Sequence, residues 1–348
     1  MQTLNDKHDW PYHTDMLSHR LPLLITGVAG VAGYNAFHHF HRKYPGQVVG
    51  IRPHQTSRLV GPGVVAQDAE DAGGMRSLFD RVGFRSVLNC VGNCALKSCE
   101  LDPAMAHTVN VESARVLADL IRRHDARLVH LSSDLVFSGT RQGNHVESDA
   151  IDPVTVYGKT MAQAEQTFAT QTPNAAMLRI SLPMGPSFNG HAGAIDWIQS
   201  RFRAHRPATL YFDEVRSCTY CGDLNRVFEQ FLAIDAAGIF HCGGPMPMTL
   251  FKIAQVINRV GDYRPELLKG CPRIDAGPMP PRAGDVSMSS AKLITELGEQ
   301  PFHPWPLGHD LVPGDHRWHF DRPAGEARSV NEIGRRLYRY PASESLFV

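Results

Sequence analysis

The sequence predicts an α/β fold: a doubly wound parallel sheet with helices on both faces, and a smaller, loop-rich α/β part at the sheet's carboxyl edge. Three observations predict it. Short apolar runs alternate with helical patterns between residues 21 and 181. The first run ends in a glycine-rich turn, "TGVAGVAG" at 26–33. Beyond residue 182, proline and glycine become frequent, as in "LPMGPSFNG" and "GPMPPRAGD".

"LPLLITG" (21–27) is apolar and closes on glycine, as a strand buried on both faces does. A helix follows over about 31–43, then a second strand "QVVGIR" (47–52) and a third, "GVVAQ" (63–67). A helix through "MRSLFDRV" leads to a fourth strand, "SVLNCVG" (86–92). The clearest helix is 102–124. Asp102 suits its cap, Pro103 its first turn, and Val109, Val116, Leu117, Leu120 and Ile121 recur at helical spacing. "RLVHLSS" (127–133) is a fifth strand, "VYGKTMAQAE" (156–165) opens a helix, and "AAMLRIS" (175–181) is a sixth strand. Alternation at this spacing calls for right-handed crossovers and hence parallel strands.

With 348 residues, 43% hydrophobic and 20% charged, the chain can fill the core of one large domain or two interleaved ones. Its 35 basic and 35 acidic residues balance, which argues against nucleic acid or an anionic membrane as partner. No apolar run approaches the roughly 20 residues a membrane helix needs. The polar start "MQTLNDKHDWPYHTDMLSHR" has no secretory apolar region. Seven cysteines then fit reduced thiols in the cytoplasm, and the C-x-x-C of Cys218 and Cys221 has no second pair beside it. The 18 histidines scatter without ligand spacing, so no metal is expected.

Gly27, Gly30 and Gly33 stand in G-x-x-G-x-x-G spacing between the first strand and the first helix. Glycines there allow a tight turn and let the helix N-terminus approach a pyrophosphate, whose charge its free N–H groups favour. In this strand–turn–helix setting the pattern implies a dinucleotide-binding, Rossmann-type domain. The second strand ends in "GIRPHQTSR", with Arg52, His54 and Arg58 and no carboxylate for a ribose 2′-hydroxyl. That points to NADP(H) in preference to NAD(H).

The glycine turn, "LNCVGNCA" (88–95), "VN" (109–110), "LSSDLVFSG" (131–139) and "VYGKT" (156–160) follow one another in an order that resembles the extended short-chain dehydrogenase/reductases. Within them the chain resembles the dTDP-4-dehydrorhamnose reductase family. "RSCTYCGDL" (216–224), "GIFHCGGP" (238–245) and "PPRAGDVSMSSAKL" (280–293) are similar to later segments of that family, so the likeness runs from about 21 to 306.

The resemblance implies reduction of a 4-keto sugar carried on a nucleotide diphosphate. It places the catalytic hydroxyl on Ser133, with Ser132 as its neighbour, the proton donor on Tyr157, and the helix asparagine on Asn110. It assigns the cofactor to Gly27, Val28, Ala29, Gly30, Val31, Gly33, Arg52, Asp68, Cys90, Val91, Gly92 and Tyr157. Substrate contacts fall on Ser133, Asp134 and Arg179. Arg201, Arg203, Arg216 and Arg282 are further candidates for a substrate diphosphate. Leu135 departs from the family's tyrosine at the site's edge.

The larger departure is at 161. The family carries a lysine one turn after the tyrosine, where its charge lowers the tyrosine's pKa and it bonds the nicotinamide ribose. This chain has Met161 there, and its lysine is Lys159. Residues four apart share a helix face, whereas residues two apart differ by roughly 200°. Lys159 is therefore expected to point away. Losing one charged hydrogen bond costs about 1.5–3 kcal/mol, which slows the chemistry without abolishing cofactor binding. The alternative reading is a catalytically impaired NADP(H)-binding regulatory or scaffold protein.

The expected organisation is an extension over 1–20, an NADP-binding domain from 21–181 plus about 206–242, and a substrate-binding part from about 182–205 plus 243–306. A tail over 307–348 would carry a homodimer or partner contact.

Overall fold

The computed structural model of the chain describes residues 17–321 and 330–338. Seven strands build the main sheet: β1 (Leu23–Thr26), β2 (Val48–Arg52), β3 (Val64–Ala66), β4 (Ser86–Asn89), β5 (Arg127–Ser133), β6 (Ala176–Ile180) and β7 (Gly238–Cys242). Their order is β7-β6-β5-β4-β1-β2-β3, with every pairing parallel. The order reverses between β1 and β4, so their carboxyl ends flank the crevice where such sheets bind ligands.

Alternate residues of the same strands feed two cores, as a two-residue period requires. Leu23, Ile25, Leu88, Val129, Leu131 and Leu178 pack with Phe37 and Phe40 of α1 (Val31–Lys43) and with Phe228 and Phe231 of α8 (Cys221–Ala233). Leu24, Val87, Leu128 and Met177 face α2 (Ala72–Val82), α5 (Ser113–His124) and α6 (Val156–Gln171), burying Phe79, Leu117, Leu120 and Phe168.

The six expected strands are present, and α1 has the expected bounds. The long helix expected at 102–124 exists but is interrupted. Two short helices, α3 (Leu96–Leu101) and α4 (Pro103–His107), lead into one π-helical turn over Thr108–Glu112 and then α5. Asp102 caps α4 by accepting from Met105 N at 2.9 Å.

A second lobe gathers around α7 (Ala194–Arg203) and α9 (Leu250–Val260). Three two-stranded sheets lie in or beside it: Ala208–Tyr211 with Leu268–Cys271, Pro183–Met184 with Thr219–Tyr220, and Val215–Arg216 with Met248–Thr249. The chain rejoins the main sheet with α8, and 208–211 pairs away from it. A return at about 206 is therefore not observed. Helix α10 (Ala291–Leu297) packs beside β7.

The described parts of 307–348 pack within the chain. Leu311 of this segment and Leu337 of α11 (Val330–Tyr338) are buried in the second lobe's core. Trp305 Nε1 donates to Leu337 O at 3.0 Å, and the Tyr338 hydroxyl donates to Asp196 Oδ1 at 2.7 Å. Most of the extension expected at 1–20 lies outside the described residues, but Leu17 is buried in the first core. Among the described residues no helix is long and apolar enough to cross a membrane.

Candidate functional site

The glycine turn joins β1 to α1 at the crevice. Gly27 has φ +65°, and a Cβ there would lie 2.3 Å from Cys90 O. A Cβ on Gly33 would lie 2.3 Å from Gly27 O, whereas one on Gly30 would meet nothing closer than 3.5 Å. Gly27 and Gly33 thus let β1, the end of β4 and α1 converge, while Gly30 leaves the approach open. Gly30 caps α1 without a side-chain bond, so the first N–H groups of the helix are left for a ligand. Val28 is buried in the core and Ala29 is half-buried. Thr26 fixes the facing loop: its hydroxyl donates to Asn89 Oδ1 at 2.6 Å and accepts from Cys90 N at 3.1 Å. This cradle fits a dinucleotide's pyrophosphate.

At the end of β2, Arg52 donates from Nε to Leu59 O at 2.6 Å and from Nη1 to Pro53 O at 3.0 Å. The guanidinium therefore holds the 53–59 loop, while Arg58 is exposed beside it. Asp68 accepts from His54 N at 3.1 Å, and its other oxygen lies 2.8 Å from His54 Nδ1. Arg52, His54 and Asp68 form one rim beside the glycine turn.

The candidate catalytic residues lie across the crevice. Thr155 caps α6 by accepting from Gly158 N at 2.9 Å, which starts the helix at Val156. Tyr157 and Met161 are both buried on one face, and Lys159 is exposed on another. Gly158 allows close packing, since a Cβ there would lie 2.1 Å from Leu135 O. The Tyr157 hydroxyl lies beside that of Ser133. A Cβ on Gly92 would lie 3.6 Å from Met161 Sδ and 3.9 Å from the Tyr157 hydroxyl, so Gly92 closes this group from the β4 side. Burial pushes the Tyr157 hydroxyl well above its usual value, with Cys94 adding to the effect and Ser133 opposing it. Tyr157 consequently keeps its proton at neutral pH.

Asn110 lies in the π-helical turn. Its Oδ1 accepts from Asn93 N at 2.8 Å and its Nδ2 donates to Thr160 Oγ1 at 2.8 Å, tying the loop after β4 to α6. Ser133 donates to Asp134 Oδ1 at 3.1 Å and accepts from Leu135 N at 3.1 Å. Ser132 instead donates to Glu165 on the far side of β5.

Arg179 departs from the expectation. It is 2% exposed, and its Nε and Nη2 each donate to Glu165 at 2.8 Å while Nη1 lies 3.3 Å from His241 Nε2. Buried beneath the sheet, it braces α6 against β6 and is corrected from a substrate contact to a structural ion pair. Arg201 donates to Pro207 O and Arg203 to Gln199, so neither faces the crevice. Arg216 is buried between two carboxylates, 3.7 Å from Asp134 Oδ2 and 3.7 Å from Glu214 Oε2. Arg282 lies 4.6 Å from the Tyr211 ring centroid and 3.8 Å from Glu214 Oε1. Sequence reasoning missed Thr26, Thr160 and Ser181, whose polar atoms fix the site from behind. It also missed Gly158, although its place beside Tyr157 in "VYGKT" was visible. Cys218 and Cys221, like the other five cysteines, are free.

The model of the RmlD substrate binding domain matches residues 21–308. The chain belongs to this family. Among RmlD relatives, the dTDP-4-dehydrorhamnose reductase of Aggregatibacter actinomycetemcomitans is 29% identical over 157 residues, which is 44% of this chain and 51% of that protein. A dTDP-4-keto-6-deoxy-D-glucose reductase of Streptomyces niveus is 26% identical over 244 residues, covering 68% of this chain and 82% of its own length. The matches with the first relatives thus span about half to three fifths of those proteins. The fold also resembles the crystal structure of dTDP-4-dehydrorhamnose reductase from Bacillus anthracis in complex with NADP. The TM-score is 0.70 at 17% identity, over 81% of this chain and 95% of that one.

Proposed function

We propose that this member of the RmlD family reduces the carbonyl of a nucleotide-linked 4-keto sugar. The observation that carries the reading is the buried Tyr157–Ser133 pair across the crevice from an uncapped, glycine-lined helix N-terminus. Relatives named as reductases of dTDP-linked sugars support the substrate class.

Gly27, Gly30, Gly33 and the α1 N-terminus would hold the cofactor's pyrophosphate, with Val28, Ala29, Val31, Cys90, Val91 and Gly92 along it and Asp68 towards the adenine. Arg52 and exposed Arg58, in a 52–58 stretch that itself holds no carboxylate, favour NADP(H) over NAD(H). When bound, that cofactor supplies hydride. Tyr157 gives its proton to the carbonyl oxygen, Ser133 orients that oxygen, and Asn110 holds the loop that faces them. A tyrosine held protonated by burial suits the reductive direction. Seven free thiols suit a reducing compartment, and we place the protein in the cytoplasm. Association with a second copy or another protein would use the segment 307–348, apart from Leu311 and Leu337, which are buried inside the chain.

The test is NADPH oxidation with a panel of dTDP- and UDP-linked 4-keto sugars. Turnover in the wild type that disappears in Tyr157→Phe is expected. NADPH binding without turnover on any sugar would contradict the reading and favour the regulatory one.

A further inference from the structure

The crevice without a lysine still contains a buried acid wired to the tyrosine. Ser133 Oγ stands between two groups: it lies beside the Tyr157 hydroxyl and donates to Asp134 Oδ1 at 3.1 Å. Asp134 is 4% exposed, and its Oδ2 is fixed by the Ser181 hydroxyl at 2.6 Å. Behind it lies the guanidinium of Arg216, itself 5% exposed and 3.7 Å from Oδ2. Arg216 is in turn positioned by Val215 O at 2.9 Å and Gly284 O at 3.3 Å. These contacts make an unbroken line from Tyr157 through Ser133 to a carboxyl group backed by a buried cation.

We propose that Asp134 is the proton reserve of this site, that Ser133 relays its proton to Tyr157, and that Arg216 is the positioning residue that makes the relay work. The inference rests on the reductase reading above. After Tyr157 has given its proton to the carbonyl oxygen, it is left as a phenolate. With Asp134 protonated, the Ser133 hydroxyl turns from Asp134 Oδ1 to face Tyr157 and accepts from the acid instead. The Ser133 O–H bond then breaks and its proton passes to Tyr157 Oη, while the Asp134 O–H bond breaks and its proton passes to Ser133 Oγ. Asp134 is left as a carboxylate facing Arg216 and recovers its proton from water. Protons and charge balance, and no lysine is needed.

The surroundings fit the assignment. Burial raises the Asp134 carboxyl above the usual range, while Arg216, Ser181, Ser133 and the Leu135 amide pull it back. The titratable and charged groups facing it are Arg216, Tyr157 and Cys218, the last pushed above its usual range chiefly by burial. Glu214, on the far side of Arg216, competes for the same guanidinium.

The test combines turnover with a readout that does not need it, on the full chain. Asp134→Asn keeps an acceptor for Ser133 but has no proton to give, and is expected to lower kcat by about 10- to 100-fold. KM and NADPH affinity should stay near wild type. Arg216→Gln should move the pH profile of kcat to higher pH, and Arg216→Lys should restore it. An Asp134→Asn enzyme with the wild-type kcat and pH profile overturns the relay.

Infrared titration of the carboxyl stretch, with Asp134→Asn as the difference, reads the proton directly in the NADPH-bound chain. A stretch persisting above the usual aspartate range, and higher still in Arg216→Gln, supports the assignment. An Asp134 that titrates as an ordinary surface aspartate overturns it. A chain that oxidises no NADPH yet shows the raised titration contradicts the reductase reading while upholding the proton assignment.

Discussion

Met161 and Tyr157 are buried on one face of α6 and both turn toward Gly92, where an added Cβ would lie 3.6 Å from Met161 Sδ and 3.9 Å from the Tyr157 hydroxyl. The thioether stands where the family's resemblance places an ammonium group. Lys159, the lysine of this turn, projects to solvent and brings no charge to the phenol.

Met161→Lys should restore that charge. Its amine, one turn from Tyr157, would lower the tyrosine's pKa and tighten NADPH by roughly tenfold, in line with about 1.5 kcal/mol for one charge-assisted bond. Because position 161 is buried, the apo variant should melt a few degrees lower. Fluorescence titration of NADPH and thermal melts check both.

Gly33→Ala should cost cofactor binding and stability together, since its methyl would overlap Gly27 O at 2.3 Å. Gly30→Ala, with 3.5 Å of room, should fold like the wild type and lose only NADPH affinity. Parallel melts and NADPH titrations separate the two.

Gly158→Ala should push α6 away from Leu135 O, now 2.1 Å from the added methyl. Tyr157 then separates from Ser133. Steady-state kinetics should show kcat falling at least tenfold while NADPH affinity changes little.

Arg179→Met should destabilise the fold by about 3–5 kcal/mol, because it strands the buried Glu165 carboxylate. Arg179→Met with Glu165→Leu should recover much of that loss in denaturant melts. A substrate-binding arginine would instead raise KM with little change in stability.

The protein should be acid-labile. Burial drives the His130 imidazole from 6.5 down to about 4, with Glu165 and the Asn89 contact opposing. Its folded pKa lies below the unfolded one, so the folded state prefers the neutral ring. That preference is fully present above about pH 6.5 and is lost as pH falls towards 4, removing about 3 kcal/mol. His130→Gln keeps an acceptor for Asn89 and should flatten this limb of the stability curve.

Much of the sheet was legible because buried parallel strands are continuous apolar runs, and the glycines of 27–33 mark where backbone must touch backbone. Tyr157 and Ser133 were named by the family resemblance, and the outward orientation of Lys159 followed from helical periodicity. The π-helical turn around Asn110 was not legible, since the apolar residues chosen to mark the helix lie almost all beyond it and share one phase. The sequence also could not show that Arg179 is captured by Glu165 or that Arg216 reaches Asp134. Both are contacts between residues distant in the chain, and an arginine reads the same whether paired or free. The start of the expected return at about 206 differs because residues 208–211 pair with 268–271, some 60 residues on.

The most direct test of the account is the rate of NADPH oxidation on a dTDP-linked 4-keto-6-deoxy sugar by wild type, Tyr157→Phe and Met161→Lys, measured side by side. The account predicts measurable turnover in the wild type, its loss in Tyr157→Phe, and at least a tenfold higher kcat in Met161→Lys. Turnover confined to Met161→Lys, with a wild type that binds NADPH and does nothing, would contradict it.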